Sequence, residues 1–168
     1  MRSSKIIGVG HYLPKKVLSN NDLKEFVDTT DEWIFTRTGI KQRHIADKTQ
    51  LTSDLAIEAA KDAFKVGSIK PGEIDCIIVA TTTPDETFPS TATKVQNHFK
   101  IGNIPAFDVQ AVCSGFIYSL QVADSFIKSN NSDKILVIGA ETLSKIVDWE
   151  DRRTCVLFGD GAGAIILS

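Results

Sequence analysis

The sequence predicts an α/β fold built on a largely parallel sheet. Short β-branched runs, Cys76-Ile-Ile-Val-Ala80 and Ile135-Leu-Val-Ile138, lack polar alternation, as strands buried on both faces do. Segments of helical periodicity separate such runs, which is the pattern of a sheet with helices packed on it. The chain has 168 residues, 42% hydrophobic and 24% charged, enough for a single domain with a substantial core. All 168 residues read as that one domain, without repeat or linker.

Lys5 to Val9 reads as a first strand, ended by His11-Tyr-Leu-Pro14. Ser19-Asn20-Asn21-Asp22 supplies N-caps for a short helix through Phe26. Thr29-Thr30-Asp31-Glu32 supplies a second cap and an acidic first turn for a helix bearing Trp33-Ile-Phe35, stopped by Gly39. Ile40 to Ala46, with Lys41, Arg43 and His44, reads as an irregular or extended surface segment. Ser53-Asp54 starts a helix to about Val66. Leu55, Ala59 and Ala63 form one row and Ala56, Ala60 and Phe64 the next, so one face is apolar. Its alanines imply close approach to a neighbour, and Gly67 suits the residue after the helix.

Asp75 to Thr82 reads as a buried strand and Thr83 to Pro89 as a loop. Ser90 caps a helix to about Phe99, ended by Gly102-Asn103, and Ala106 to Gln110 is the next strand. The helix after Cys113 runs to about Lys128, with only Asp124 and Lys128 charged. Its apolar residues (Phe116, Ile117, Leu120, Val122, Ala123, Phe126 and Ile127) point in nearly all directions, which predicts a helix sandwiched between layers. Lys134 to Ala140 is another buried strand. Val156 to Phe158 and Ala162 to Leu167 are apolar segments around Gly159-Asp-Gly-Ala-Gly163. That glycine run lacks the Lys-Ser/Thr and the following helix of a phosphate loop, so it reads as a turn whose glycines take positive φ. An apolar strand ending at Ser168 needs covering structure, so the chain is expected to be part of a larger molecule.

Composition excludes several classes. Net charge is −2 and no basic run is present, which argues against nucleic acid as a partner. No apolar segment approaches the roughly 20 residues that span a bilayer. Gly8 and Gly10 interrupt the apolar start, unlike a signal peptide. Cys76, Cys113 and Cys155 are odd in number and widely spaced, which suits a reducing cytoplasm rather than disulfides or a C-x-x-C metal site. His11, His44 and His98 fall in no ligand cluster and read as structural or surface residues, so no metal is expected.

Cys113 lies where a strand gives way to a helix. Unpaired N–H groups in a helix's first turn favour an anion, and a thiolate there can form below the free-thiol pKa of about 8.5. Cys113 is therefore a candidate nucleophile, and the competing reading is a buried structural cysteine. Trp33 and Arg37, four residues apart, share a helix face. An indole beside a guanidinium can hold a purine and a phosphate, or can be a structural stack. Asp151-Arg-Arg153 reads as a solvated turn.

Taken together, these stretches resemble the β-ketoacyl-acyl carrier protein synthase III family of the thiolase-like superfamily. The resemblance rests on Ile6-Ile-Gly-Val-Gly-His-Tyr-Leu-Pro, Asp28 to Ile40, Ala80-Thr-Thr-Thr-Pro, Phe88-Pro-Ser-Thr-Ala, Phe107 to Phe116, Gly139-Ala-Glu-Thr and Phe158-Gly-Asp-Gly-Ala-Gly-Ala. It implies the N-terminal half of a five-layered αβαβα architecture with a mixed, mostly parallel sheet, usually homodimeric. By resemblance, Cys113 is the acyl-accepting nucleophile, and Trp33 and Arg37 bracket the adenine of coenzyme A. Thr29 and Arg152 are further coenzyme A contacts, and Phe158 lines the route to the thiol. Phe88 reaches toward the partner's acyl pocket.

The implied activity is an acyl transfer. A short-chain acyl-CoA loads Cys113, and malonyl-acyl carrier protein then condenses with the acyl group to start fatty acid synthesis. Coenzyme A is there a substrate carrier and no cofactor is implied. The family's catalytic His and Asn lie in its C-terminal half and match none of this chain's histidines, so these 168 residues alone are expected not to condense. Alternatives are a non-catalytic or truncated half that acts as a pairing subunit, or a related condensing enzyme or acyltransferase using coenzyme A thioesters.

Overall fold

The computed structural model describes residues 2–168. Its centre is a five-stranded sheet of β1 (Ile6–Tyr12), β4 (Cys76–Ala80), β5 (Ala106–Val109), β6 (Ile135–Thr142) and β7 (Asp160–Leu167), in the order β1-β7-β6-β4-β5. β4 pairs parallel with β5 and β6, while β7 pairs antiparallel with β6 and β1. Four strands therefore share one direction and only β7 opposes them, a mixed and mostly parallel sheet.

Pleating explains why the central strands read as unbroken apolar runs. Ile77, Val79, Leu136 and Ile138 face the layer of α2 (Thr52–Gly67) and α3 (Thr91–His98). Their neighbours Cys76, Ile78, Ile135 and Val137 face α4 (Gly115–Lys128). Both faces are covered, so polar alternation would bury unpaired polar groups.

The two small-residue surfaces of α2 and β1 meet. A Cβ on Gly10 would overlap backbone atoms of Ala59, Asp62 and Ala63, and one on Gly8 would sit 2.7 Å from the Ala63 carbonyl oxygen. Gly67 is helical and lies against Ile7 and Gly8, and Ser68 adopts the left-handed conformation in its place (φ 53°). The expectation that Gly67 follows the helix is thereby corrected: close approach to β1, not a turn, requires glycine there.

A smaller unit flanks the sheet. β2 (Lys16–Ser19) and β3 (Gln42–Ile45) form an antiparallel ladder beside α1 (Asp31–Thr38) and the short α5 (Arg152–Cys155). The expected surface segment over 40–46 is thus a strand, and its Arg43 is 95% buried because three acceptors surround the guanidinium. The helix expected through Phe26 is a single 3₁₀ turn over Asp22–Glu25, since the Asp22 carboxylate accepts from Ser19 backbone N and Oγ in a local turn. Leu18, Leu23, Val27, Ile34, Cys155 and Val156 form this unit's own core.

Two further expectations change. Gly159 to Gly163 is not a positive-φ turn: β7 starts at Asp160, and Gly39 is the one glycine with positive φ among the described residues. The space at Gly159 is what matters, because a Cβ there would lie 2.8 Å from the Arg43 Cβ. Helix α4 is not sandwiched within this chain. Gly115, Ser119, Ala123 and Ile127 form one buried row against the sheet, whereas Ile117 and Tyr118 are 61% and 53% exposed. Only one layer touches it here, so Phe116, Leu120, Val122 and Phe126 are half-buried at its flanks and Ile117 and Tyr118 have nothing to bury them.

Substituting Gly10→Ala should lower the unfolding free energy by about 3 kcal/mol through overpacking of α2 on β1. Urea unfolding of the variant beside wild type measures this, with Gly72→Ala, where nothing crowds the position, as the near-neutral control.

Candidate active site

The site lies at the carboxyl ends of β4 and β5, beside the last residues of β6. Ala80 is the register partner of both Val109 and Gly139. The chain leaving β5 makes one 3₁₀ turn, Val112–Ser114, before α4 begins at Gly115. Ser114 N donates to the Ala111 carbonyl at 3.2 Å, which closes the turn. Val112 carries it in the left-handed region at φ 49°, a costly conformation for a β-branched residue. Cys113, at the middle of this turn, is exposed, while Cys76 and Cys155 are fully buried.

The thiol lines a pocket of about 270 Å³ with Ala80, Thr82, Val112, Phe116, Gly139, Ala140, Glu141, Leu143 and Phe158. The lining is mostly apolar. A Cβ on Gly139 would press to 3.2 Å from the Phe116 ring, so the small residue leaves room for that wall. Glu141 is the pocket's one carboxylate, and both its oxygens are engaged, accepting from Thr82 N at 2.8 Å and from Thr83 Oγ1 at 2.6 Å. The Thr82 hydroxyl is buried without a partner. A buried hydroxyl cluster braces the turn beneath: Thr52 Oγ1 lies 2.8 Å from Thr142 Oγ1, and Thr142 N donates to Thr83 Oγ1 at 2.8 Å.

Phe158 and Leu143 also line an adjoining cleft of about 240 Å³ with Ile146, Val147, Asp148 and Thr154. Thr154 sits on α5, two residues from Arg152. The Arg152 guanidinium lies 4.7 Å from the centre of the Trp33 indole and donates to the Asp28 carbonyl at 2.9 Å. Arg37 lies over the same indole at 4.4 Å. Among the described residues neither arginine has a carboxylate partner, whereas Arg153 pairs with Asp151 at 3.0 Å. Trp33 and Arg37 edge a shallow depression of about 330 Å³ with Thr30, Glu32 and Thr36.

Helix α1 presents this face because Thr30 caps it, its hydroxyl accepting from Trp33 N at 3.0 Å, and Gly39 ends it at φ 73°. Ile34 is buried beneath. Thr29 is buried, with its hydroxyl unpartnered.

Phe88 stands apart from these residues. It is 82% exposed on the loop before α3. Asp85 pins that loop by accepting from Ser53 N at 3.0 Å and pairing with Lys94 at 3.2 Å. Burial alone would raise the Asp85 carboxyl, but these contacts hold it below its usual range. Asp108 on β5 accepts from Thr91 N and Ala92 N, both at 2.8 Å, and so fixes the start of α3.

The structure thus brings Cys113 and Phe158 into one pocket and joins Arg152 to Trp33 and Arg37, and a cleft that shares Phe158 with the thiol pocket reaches Thr154 on the helix that bears Arg152. No histidine lines the thiol pocket. His44 Nδ1 lies 2.6 Å from the Pro14 carbonyl, His11 faces Asp62, and His98 packs on Phe99. Sequence reasoning missed Glu141 and Thr82 as pocket residues. Their only signal was polarity at the strand ends.

A mixed sheet with helices packed on it and an exposed cysteine between a parallel strand and a helix make an α/β fold, and the solved structures it superposes on are thiolase-like. The family described as 3-Oxoacyl-[acyl-carrier-protein (ACP)] synthase III matches residues 107–168. The Beta-ketoacyl-[acyl-carrier-protein] synthase III of Wolbachia pipientis wMel is 64% identical over 99% of this chain and 53% of its own length. That of Ehrlichia canis (strain Jake) is 61% identical over 100% and 53%. The crystal structure of 3-oxoacyl-[acyl-carrier-protein] synthase III from Aquifex aeolicus VF5 superposes with a TM-score of 0.95 at 57% identity, covering 98% of this chain and 53% of that one. The priming β-ketosynthase of the R1128 polyketide pathway superposes at 0.96 with 34% identity, over 99% of this chain and 50% of its own. The chain is similar along nearly its whole length to β-ketoacyl-[acyl-carrier-protein] synthases III and spans about half the length of the curated relatives it matches.

Iodoacetamide on the folded protein at pH 8 should alkylate Cys113 and leave Cys76 and Cys155 untouched until urea unfolds the chain. Burial, with Asp75 nearby, pushes the Cys76 thiol up to about 11. Burial, then Asp151, raises Cys155 despite Arg43. Peptide mass spectrometry reads the result.

Proposed function

We propose that the native-length protein is an acyltransferase that condenses a short-chain acyl-CoA with malonyl-acyl carrier protein and so starts fatty acid synthesis. The observation that carries this is the exposed Cys113 in an apolar pocket shared with Phe158, together with an indole flanked by two arginines on the neighbouring helices α1 and α5.

In the first step the Cys113 thiolate attacks the thioester carbonyl, the bond to coenzyme A sulfur breaks, and the acyl group stays on Cys113. The freed coenzyme A thiolate takes a proton and leaves. Backbone N–H groups at the turn, that of Cys113 among them, suit the oxyanion, and one such donor is worth roughly 10²–10³ in rate. The nucleotide end rests on Trp33, with its phosphates near Arg37 and Arg152, and Thr29 is a further contact whose buried hydroxyl has no partner of its own. Coenzyme A is a substrate carrier here, and no cofactor or metal takes part.

In the second step malonyl-acyl carrier protein loses CO₂. The resulting enolate carbon attacks the acyl carbonyl, the bond to Cys113 breaks, and 3-oxoacyl-acyl carrier protein leaves. This step needs neutral donors at the enolate oxygen, which the family draws from a His and an Asn not matched by His11, His44 or His98. Phe88, exposed on its loop, and the apolar residues of α4 suit contact with a second subunit in a homodimer. The protein acts in the cytoplasm, without membrane or nucleic acid. The curated relatives at about 60% identity, all named β-ketoacyl-[acyl-carrier-protein] synthase III, favour this reading over other condensing reactions.

In a condensation assay with acetyl-CoA and malonyl-acyl carrier protein, the native-length protein should turn over by ping-pong kinetics. The 168-residue chain alone should show little or no product. Trp33→Ala should raise KM for acetyl-CoA about tenfold, the loss expected of one stacking contact of about 1–2 kcal/mol, with little change for the carrier-protein substrate. Turnover by the short chain at the native-length rate would refute the two-half reading.

A further inference from the structure

We propose that Arg43 is a positioning residue that sets Trp33 against Arg152 and thereby governs recognition of the coenzyme A nucleotide. This rests on the reading of those two side chains as the nucleotide site.

Arg43 lies outside every pocket that bears the chemistry, yet it joins the segments that carry both members of the pair. Its Nη2 donates to the Val156 carbonyl at 2.9 Å, at the end of α5, the helix that bears Arg152. The same nitrogen donates to Asn20 Oδ1 at 3.0 Å, and Nη1 donates to the Leu18 carbonyl at 3.2 Å. Asn20 is 99% buried and grips both ends of α1, the helix that bears Trp33. Its Nδ2 donates to Asp31 Oδ1 at 2.9 Å at one end and to the Ile40 carbonyl at 2.6 Å just past the other. One guanidinium and one carboxamide therefore span the route from α1 to α5.

The chemistry of the hub fits such a role. Burying a cation without a counter-ion is costly, and an apolar side chain would fill the space more cheaply. Among the described residues Arg43 has no carboxylate partner, and its Nε is buried without an acceptor. What an apolar side chain cannot do is bond three acceptors on two separate segments at once, which the rigid guanidinium fork does. Gly159 admits it: a Cβ there would stand 2.8 Å from the Arg43 Cβ and 3.1 Å from the His44 carbonyl oxygen. Ile34 of α1 packs with Cys155 and Val156 in the same small core, so the apolar contact holds the two segments together and Arg43 fixes their offset.

The test compares two acyl donors on the native-length protein, acetyl-CoA and S-acetyl-N-acetylcysteamine, which carries the thioester without the nucleotide. Acylation of Cys113 is followed by mass spectrometry at sub-saturating donor. Arg43→Met should slow acylation by acetyl-CoA about tenfold or more, the scale of a misplaced binding group, while the short thioester changes by less than about twofold. Arg43→Lys, which can reach one acceptor at a time, should fall between. Asn20→Ser should give the same split and serves where Arg43→Met does not fold. Equal loss with both donors, or no loss with either, overturns the positioning role. A wild-type protein with no preference for acetyl-CoA over the short thioester would instead overturn the nucleotide-site reading, and the role of Arg43 with it.

Discussion

The parallel register of β4, β5 and β6 is the constraint on which the site depends. Ala80 and Val109 end β4 and β5 beside Gly139 of β6, which runs on to Thr142. The residues that follow these three therefore start from one level. After Val109 come Val112 and Cys113, after Ala80 come Thr82 and Thr83, and after Gly139 come Glu141 and Thr142, still within β6. Glu141 ties two of these exits together through Thr82 and Thr83, and the Thr52–Thr142–Thr83 cluster fills the space beneath with satisfied hydroxyls. A slip of one residue would turn every inward side chain outward and break this alignment, so apolar burial on both sheet faces holds the pocket in shape as well as holding the strands.

The second unit solves a different problem. On the function proposed above it receives a nucleotide, which needs charge and a flat surface at the protein's exterior, both held still. Trp33 and Arg37 come from an eight-residue helix, too short to be stable on its propensity alone. Its order comes from the Thr30 cap, the Gly39 stop, buried Ile34 and the two bonds from Asn20. Arg152 comes from a still shorter helix, capped by Asp151, which accepts from Arg153 N at 2.9 Å. Neither helix carries a large core, so polar contacts take a larger share of the positioning here than they do in the main sheet.

Much of this was legible in the sequence because the cues were local. The β-branched runs gave the central strands, the two rows of alanine and leucine gave α2, and Ser90 and Thr30 were visible caps. The strand–helix junction pointed to Cys113 before any fold was known. What was missed depended on distant partners. Arg43 looked like a surface cation because nothing near it in sequence reveals Val156, 113 residues away, as its acceptor. The Gly159 run suggested a turn because a strand glycine needed for close packing and a turn glycine read alike in one dimension. Helix α4 was read as enclosed, and its composition does match an enclosed helix. Within this chain the sheet covers one side only, which is why Ile117 and Tyr118 remain exposed.

The central claim is that the Cys113 sulfur takes the acyl group. Incubating the native-length protein with radiolabelled acetyl-CoA, followed by proteolysis and peptide sequencing, measures this directly. The account predicts label confined to the peptide holding Cys113, released by hydroxylamine as a thioester. Label on Cys76 or Cys155, or acylation undiminished in Cys113→Ala, would contradict it.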